Sequence, residues 1–165
     1  ARAGLELLLH PEIGTQLKES ERDLLIKAHQ QPRPRLDILP YLWELKPARA
    51  IAGMDSSDGL ADAIVQICHC SGVGAAIERD SLRNVPLLSK LVTPEQMWSW
   101  ILYGGEDFEL ILCLDLENAQ KLLDKLDNKA VIIGKIIEQP QIVLKDKLDI
   151  YSQQILSLSK GFQHF

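Results

Sequence analysis

An apolar run over residues 48–54 stops at Asp55-Ser56-Ser57-Asp58-Gly59, and from Gly59 onward apolar residues return at helical spacing. That change of period, from strand to helix within a few residues, constrains the fold more than any other feature of the chain. It ties the end of a strand to the start of a helix and gathers two carboxylates and two hydroxyls at the joint. The same alternation runs through the rest of the sequence. Helical patterns are expected at 5–10, 15–30, 36–45 (interrupted by Pro40), 59–71, 93–102 and 118–126, and at the start of the 152–165 tail. Strands are expected at 48–54, 73–77, 108–114, 130–137 and 142–144, with 80–92 rich in loop. Pro32-Arg33-Pro34-Arg35 ends one helix and reads as a rigid linker with solvated arginines. The pattern predicts an α+β domain, a mixed β-sheet of about four to six strands flanked by helices, with a doubly wound parallel sheet as the second choice.

The chain is long enough, at 165 residues, to bury its own core. A net charge of −5 argues against a protein that wraps nucleic acid, which needs a basic surface. It leaves room for a small anion bridged to acidic residues by a cation. Cys68, Cys70 and Cys113 are too few, and odd in number, for a disulfide framework, and read as reduced, buried thiols in a cytosolic protein. No apolar run reaches membrane-spanning length. The opening residues, Ala1-Arg2-Ala3-Gly4-Leu5, read like the middle of a longer chain.

The acidic corner has two physical readings. In one, Asp58 or Ser57 caps the free N–H groups of the first helical turn. In the other, the helix N-terminus attracts a phosphate, and a hard cation such as Mg²⁺ sits between that phosphate and the carboxylates. A second cluster, Gly104-Gly105-Glu106-Asp107-Phe108-Glu109-Leu110, follows a helix and opens a strand. Strand periodicity would put Phe108 and Leu110 on one face and Asp107 and Glu109 on the other. It reads either as a turn leading into a solvated edge strand or as part of a site.

Taken together, DSSDGL, Ser71-Gly72-Val73-Gly74-Ala75, the Pro-x-Pro-Arg linker, GGEDFEL and the closing Gly161-Phe162-Gln163-His164-Phe165 resemble the thiamine-monophosphate kinase family, within the aminoimidazole-ribotide-synthetase-like superfamily of ATP-dependent enzymes. The resemblance implies transfer of the γ-phosphate of ATP to thiamine monophosphate, giving thiamine diphosphate, with Mg²⁺ ions gathering the phosphates. It implies that Asp55 and Asp58 are metal ligands, that Ser57 contacts ATP phosphate, that Glu106 hydrogen-bonds the substrate's aminopyrimidine, and that Phe162 packs on a thiamine ring. It also implies that residues 1–165 form the C-terminal domain of a longer two-domain kinase, homodimeric in full. The N-terminal domain would supply the rest of a composite site, so the chain alone is expected to be inactive. The alternatives are a non-catalytic nucleotide-binding module, or another synthetase of the superfamily: an aminoimidazole-ribotide synthetase, a selenophosphate synthetase or a hydrogenase-maturation homologue.

Other features read as structural. Neighbouring helical positions point apart, so Cys68-His69-Cys70 is expected to pack and not to bind metal. Asp62 reads as part of a solvated helix face. Trp98 and Trp100 cannot share one buried stripe, so one of them should mark an exposed surface.

Overall fold

The computed structural model describes residues 1–45, 50–82, 85–127, 129–146 and 154–156. Six α-helices and six strands occur among them. The helices are α1 (Arg2–Leu9), α2 (Glu19–Gln30), α3 (Leu39–Glu44), α4 (Leu60–Ser71), α5 (Pro94–Tyr103) and α6 (Leu116–Lys125). The strands are β1 (Ala52–Asp55), β2 (Gly74–Glu78), β3 (Leu110–Cys113), β4 (Gly134–Ile137), β5 (Ile142–Lys145) and β6 (Gln154–Ile155).

The architecture is α+β, and its strands fall into two sheets instead of one. β1 and β3 form an antiparallel two-stranded ladder, with Asp55 opposite Leu110. The second sheet has the order β4-β2-β5-β6 and is mixed: β2 runs parallel to β5, while the β2–β4 and β5–β6 pairs are antiparallel. The antiparallel pairs set aside a doubly wound parallel sheet.

α4 covers the mixed sheet. Ala61, Ile64 and Cys68 repeat at helical spacing and pack with Ala75 and Ile77 of β2, Ile142 and Leu144 of β5, and Leu102 of α5. β2 and β5 are buried along most of their length, which suits their run of Ala, Ile, Val and Leu. Gly72, in the left-handed conformation, ends α4 and donates its N–H to the carbonyls of Cys68 and His69. A smaller core under the two-stranded ladder joins Ile38 with Leu122 of α6 and Leu126 just after it, and Lys125 pairs with Glu44 beside it.

Several expected boundaries moved for identifiable reasons. The helix expected over 15–30 starts only at Glu19, where Glu21 accepts the Lys18 N–H at 2.9 Å. Pro40 begins α3 and does not break it, because the first helical turn needs no proline N–H. The strand expected at 48–54 is β1, half exposed and not buried, since a two-stranded ladder cannot cover both faces; residues 48 and 49 lie outside the described residues. Within the tail expected to start as a helix, Gln154–Ile155 form β6 instead, because Val143 and Leu144 offer a strand edge; residues 152, 153 and 157–165 lie outside the described residues. Trp98 and Trp100 are both half-buried against core clusters, and the exposed tryptophan is Trp43, 79% accessible on α3. Cys68 is buried while His69 and Cys70 are exposed, so the three do not converge, as expected.

Leu102 is 2% exposed and bridges α5 to the α4 core. Leu102→Ala should destabilise the fold by about 2–5 kcal/mol. Urea denaturation followed by circular dichroism measures this, and a loss below about 1 kcal/mol would mean that the site collapses around the cavity.

Candidate active site

The corner begins where β1 ends. Ser56, 4% exposed, is the pin. Its N–H donates to the Glu109 carbonyl at 2.8 Å, and its Oγ accepts the Glu109 N–H at 3.1 Å. One residue on, the Ser57 carbonyl accepts the Glu106 N–H at 2.7 Å, and the Ser56 carbonyl accepts the Gly59 N–H at 3.0 Å. The DSSDG corner and the GGEDFE loop are therefore zipped together by main-chain bonds. Sequence reading singled out Ser57, whereas Ser56 carries the structural bond.

Two glycines make the approach possible. Gly59 has φ 108°, and a Cβ there would lie 3.2 Å from the Leu102 carbonyl oxygen. A Cβ on Gly105 would lie 2.6 Å from the Ser57 carbonyl oxygen, closer than a side chain can come. Gly59 occupies the N-cap position of α4, so no side chain caps from that position. The helix then presents its first N–H groups, which have no intrahelical acceptor, toward the corner.

The acidic loop is not the start of a strand. Glu106 (φ 67°) and Phe108 (φ 51°) are left-handed, so the expected alternation of faces is broken and β3 begins only at Leu110. Such backbone costs on the order of 1 kcal/mol per non-glycine residue and persists where surroundings hold it. Here the Glu106 and Glu109 N–H bonds to the serine corner do so. The result turns Glu106, Asp107 and Glu109 outward, all exposed.

Asp55 is exposed and makes no side-chain hydrogen bond or ion pair among the described residues; Asp58 and Ser57 are half-buried. These oxygens thus stand at an accessible corner beside the loop that bears Glu106. Phe162 lies outside the described residues. Among the described residues no three His, Cys, Asp or Glu side chains converge as a metal cage. Mg²⁺ seldom uses such a cage: it takes one or two carboxylates and completes its shell with phosphate oxygens and water. Asp55, accessible and unpaired at the corner, fits that need, with Asp58 next to the helix N-terminus.

Two side chains that the sequence did not single out reach the loop. His29, in the last turn of α2, places Nδ1 3.0 Å from Glu106 Oε2. Arg35 is not a solvated linker residue: Nη1 lies 2.8 Å from Glu109 Oε2, while Nε and Nη2 bond the Asp37 carboxylate at 2.9 and 3.1 Å. The Arg35 guanidinium holds the Asp37 carboxyl below its ordinary range, and Asp37 and Glu109 together raise the arginine's own value. Asp62 pairs with Gln66 one turn along α4, at 2.7 Å, as a helix-surface contact would. Burial pushes the Cys68 and Cys113 thiols up, which keeps them protonated and unreactive.

Residues 3–147 match the family described as AIR synthase related protein, C-terminal domain. The chain belongs to that family. Within it, the chain is 48% identical over 154 residues to the thiamine-monophosphate kinase of Synechococcus elongatus, covering 90% of this chain and 44% of that protein. Among solved structures, thiamine-monophosphate kinase from Stenotrophomonas maltophilia superposes with a TM-score of 0.70 at 26% identity, over 87% of this chain and 46% of that one. The complex of AaThiL with AMPPCP and TMP superposes at 0.67 and 26% identity, over 94% of this chain and 46% of that one. The chain thus spans about half the length of the relatives it matches. No helix among the described residues is long and apolar enough to cross a membrane.

The Asp37–Arg35–Glu109 strap should respond to acid. A carboxyl whose folded pKa is depressed contributes stability above its unfolded value, near 3.9 for Asp, and that contribution fades as pH falls through the folded value. Thermal melting from pH 6 down to pH 2 should show an acid-limb decline that Asp37→Asn makes shallower. An unchanged acid limb in Asp37→Asn would show that the pair adds nothing.

Proposed function

We propose that this chain is the C-terminal half of an ATP-dependent kinase that phosphorylates thiamine monophosphate to thiamine diphosphate. The observation that carries the reading is the main-chain zipper, Ser56 to Glu109 and Ser57 to Glu106, which brings the two acidic motifs to one accessible corner. Kinship with thiamine-monophosphate kinases, and the superposition on a relative bound to AMPPCP and TMP, support the choice of substrates.

Each residue then has a task. Asp55 and Asp58 would hold Mg²⁺, which when bound would supply positive charge against the nucleotide phosphates. Ser57, beside the N-terminus of α4, contacts nucleotide phosphate, and the free N–H groups of that helix favour the same anion. Glu106 accepts an N–H from the substrate's aminopyrimidine. Phe162 forms an aromatic wall for the cationic thiamine ring. Phosphoryl transfer depends mainly on positioning and charge neutralisation, and none of these groups is asked to act as a nucleophile. The remaining ligands come from an N-terminal domain in the full-length protein, which is a cytoplasmic homodimer.

The test is calorimetry and steady-state kinetics on the full-length enzyme with Mg-ATP and thiamine monophosphate. Asp55→Asn should lower kcat by about a hundredfold or more, the scale of losing one preorganised charge-stabilising group. Glu106→Gln should raise KM for thiamine monophosphate and spare KM for ATP. The 165-residue chain by itself should give no measurable thiamine diphosphate. Wild-type kinetics in both variants would overturn the residue assignments, and turnover by the isolated chain would overturn the composite site.

A further inference from the structure

His29 belongs to none of the motifs that define the site, yet its ring reaches it. The Nδ1 atom is fully out of solvent and forms no hydrogen bond of acceptable alignment among the described residues, and Glu106 Oε2 lies 3.0 Å away. The separation is within hydrogen-bond distance, but the ring N–H and the carboxylate oxygen are not aligned as they stand. The histidine side chain is 18% exposed and the glutamate 57%, so one partner is fixed and the other faces the open corner.

The surroundings hold the imidazole in place. A Cβ added to Gly4 of α1 would fall 2.1 Å from the Leu25 carbonyl oxygen and 2.8 Å from His29 Cβ, so α1 lies directly on the backbone of α2 where the histidine leaves it. α1 also touches the acidic loop: a Cβ on Gly104 would come 3.0 Å from Arg2 Cβ. Lys90 binds Glu21 at 2.7 Å and ties α2 to the segment before α5. Downstream of the same helix, Arg35 grips Glu109 at the other end of the loop. The α1–α2 pair and the linker therefore clasp the loop at both ends of the run from Glu106 to Glu109.

We propose that His29 is a positioning residue for Glu106. A small rotation of the exposed Glu106 carboxylate brings Oε2 into line with Nδ1–H, and the bond so formed fixes the side-chain rotamer. Oε1 has no partner among the described residues and is left to accept an N–H from an amino-substituted heterocycle. Without His29 the glutamate, on a strained left-handed backbone and more than half exposed, would sample several rotamers and would pay for ordering when the substrate binds. This rests on the kinase reading for the identity of the heterocycle, but the clasp itself does not.

The experiment uses the full-length enzyme with His29→Ala, His29→Asn, Glu106→Gln and the His29→Ala/Glu106→Gln double variant. Steady-state kinetics with ATP and thiamine monophosphate are paired with hydrogen–deuterium exchange of the 104–109 loop in the absence of substrate. His29→Ala should raise KM for thiamine monophosphate about tenfold, the scale of one charge-assisted hydrogen bond. Both kcat and KM for ATP should stay within about twofold. The Glu106 and Glu109 amides should exchange about tenfold faster. His29→Asn, whose amide N–H can take the place of Nδ1–H, should restore most of both effects, and His29→Ala should add nothing in the Glu106→Gln background. Unchanged loop exchange and unchanged KM in His29→Ala overturn the proposal. So does an equal loss of kcat and both KM values that His29→Asn does not rescue, since that is what a merely structural histidine would give. If Glu106→Gln leaves KM for thiamine monophosphate unaltered while His29→Ala still loosens the loop, the substrate role falls and the clasp stands.

Discussion

Ser56 is the residue through which the two halves of the corner meet. Its buried hydroxyl and its N–H both engage Glu109, and the next carbonyl takes the Glu106 N–H. A buried hydroxyl without a partner costs on the order of 1–3 kcal/mol, so this position both needs and supplies the bond. Because β1 pairs with β3 immediately beyond it, Asp55 opposite Leu110, the serine acts as the last rung of a ladder that continues into irregular chain. The left-handed backbone at Glu106 and Phe108 is held by that rung. The outward aim of the acids follows from it.

Glycine placement explains why the corner can be so tight. At Gly59 the chain turns with positive φ against the end of α5, and at Gly105 it passes close to the Ser57 carbonyl. The burial of Leu102 behind Gly59 joins the site to the main core, so packing under α4 and geometry at the corner are not independent. The smaller core of Ile38, Leu122 and Leu126 supports the ladder from the other direction.

Much of this was legible in the sequence. The change of period at Asp55–Gly59 located β1 and α4, and helix signals such as Thr93-Pro94 and Gly72 marked element ends closely. What could not be read was anything set by partners distant along the chain. Nothing local reveals that Phe108 would be left-handed instead of the first residue of a strand, because the cause is a bond from Glu109 to Ser56. Arg35 looked like a solvated charge, since its two carboxylate partners become neighbours only after folding. His29 had no motif around it, and the reason it matters is that α1 packs through Gly4 onto α2. The division of the strands into two sheets was likewise hidden, because apolar patterning marks strands and does not say which strands pair.

The central claim is that the corner holds magnesium against nucleotide phosphate with Asp55 and Asp58. The most direct measurement is a crystal structure of the full-length protein with a non-hydrolysable Mg-nucleotide and thiamine monophosphate. The account predicts at least one oxygen of Asp55 or Asp58 at about 2.0–2.1 Å from a magnesium ion that also binds a phosphate oxygen. Magnesium and nucleotide held wholly by other residues, with both aspartates outside the coordination shell and its bound waters, would contradict it.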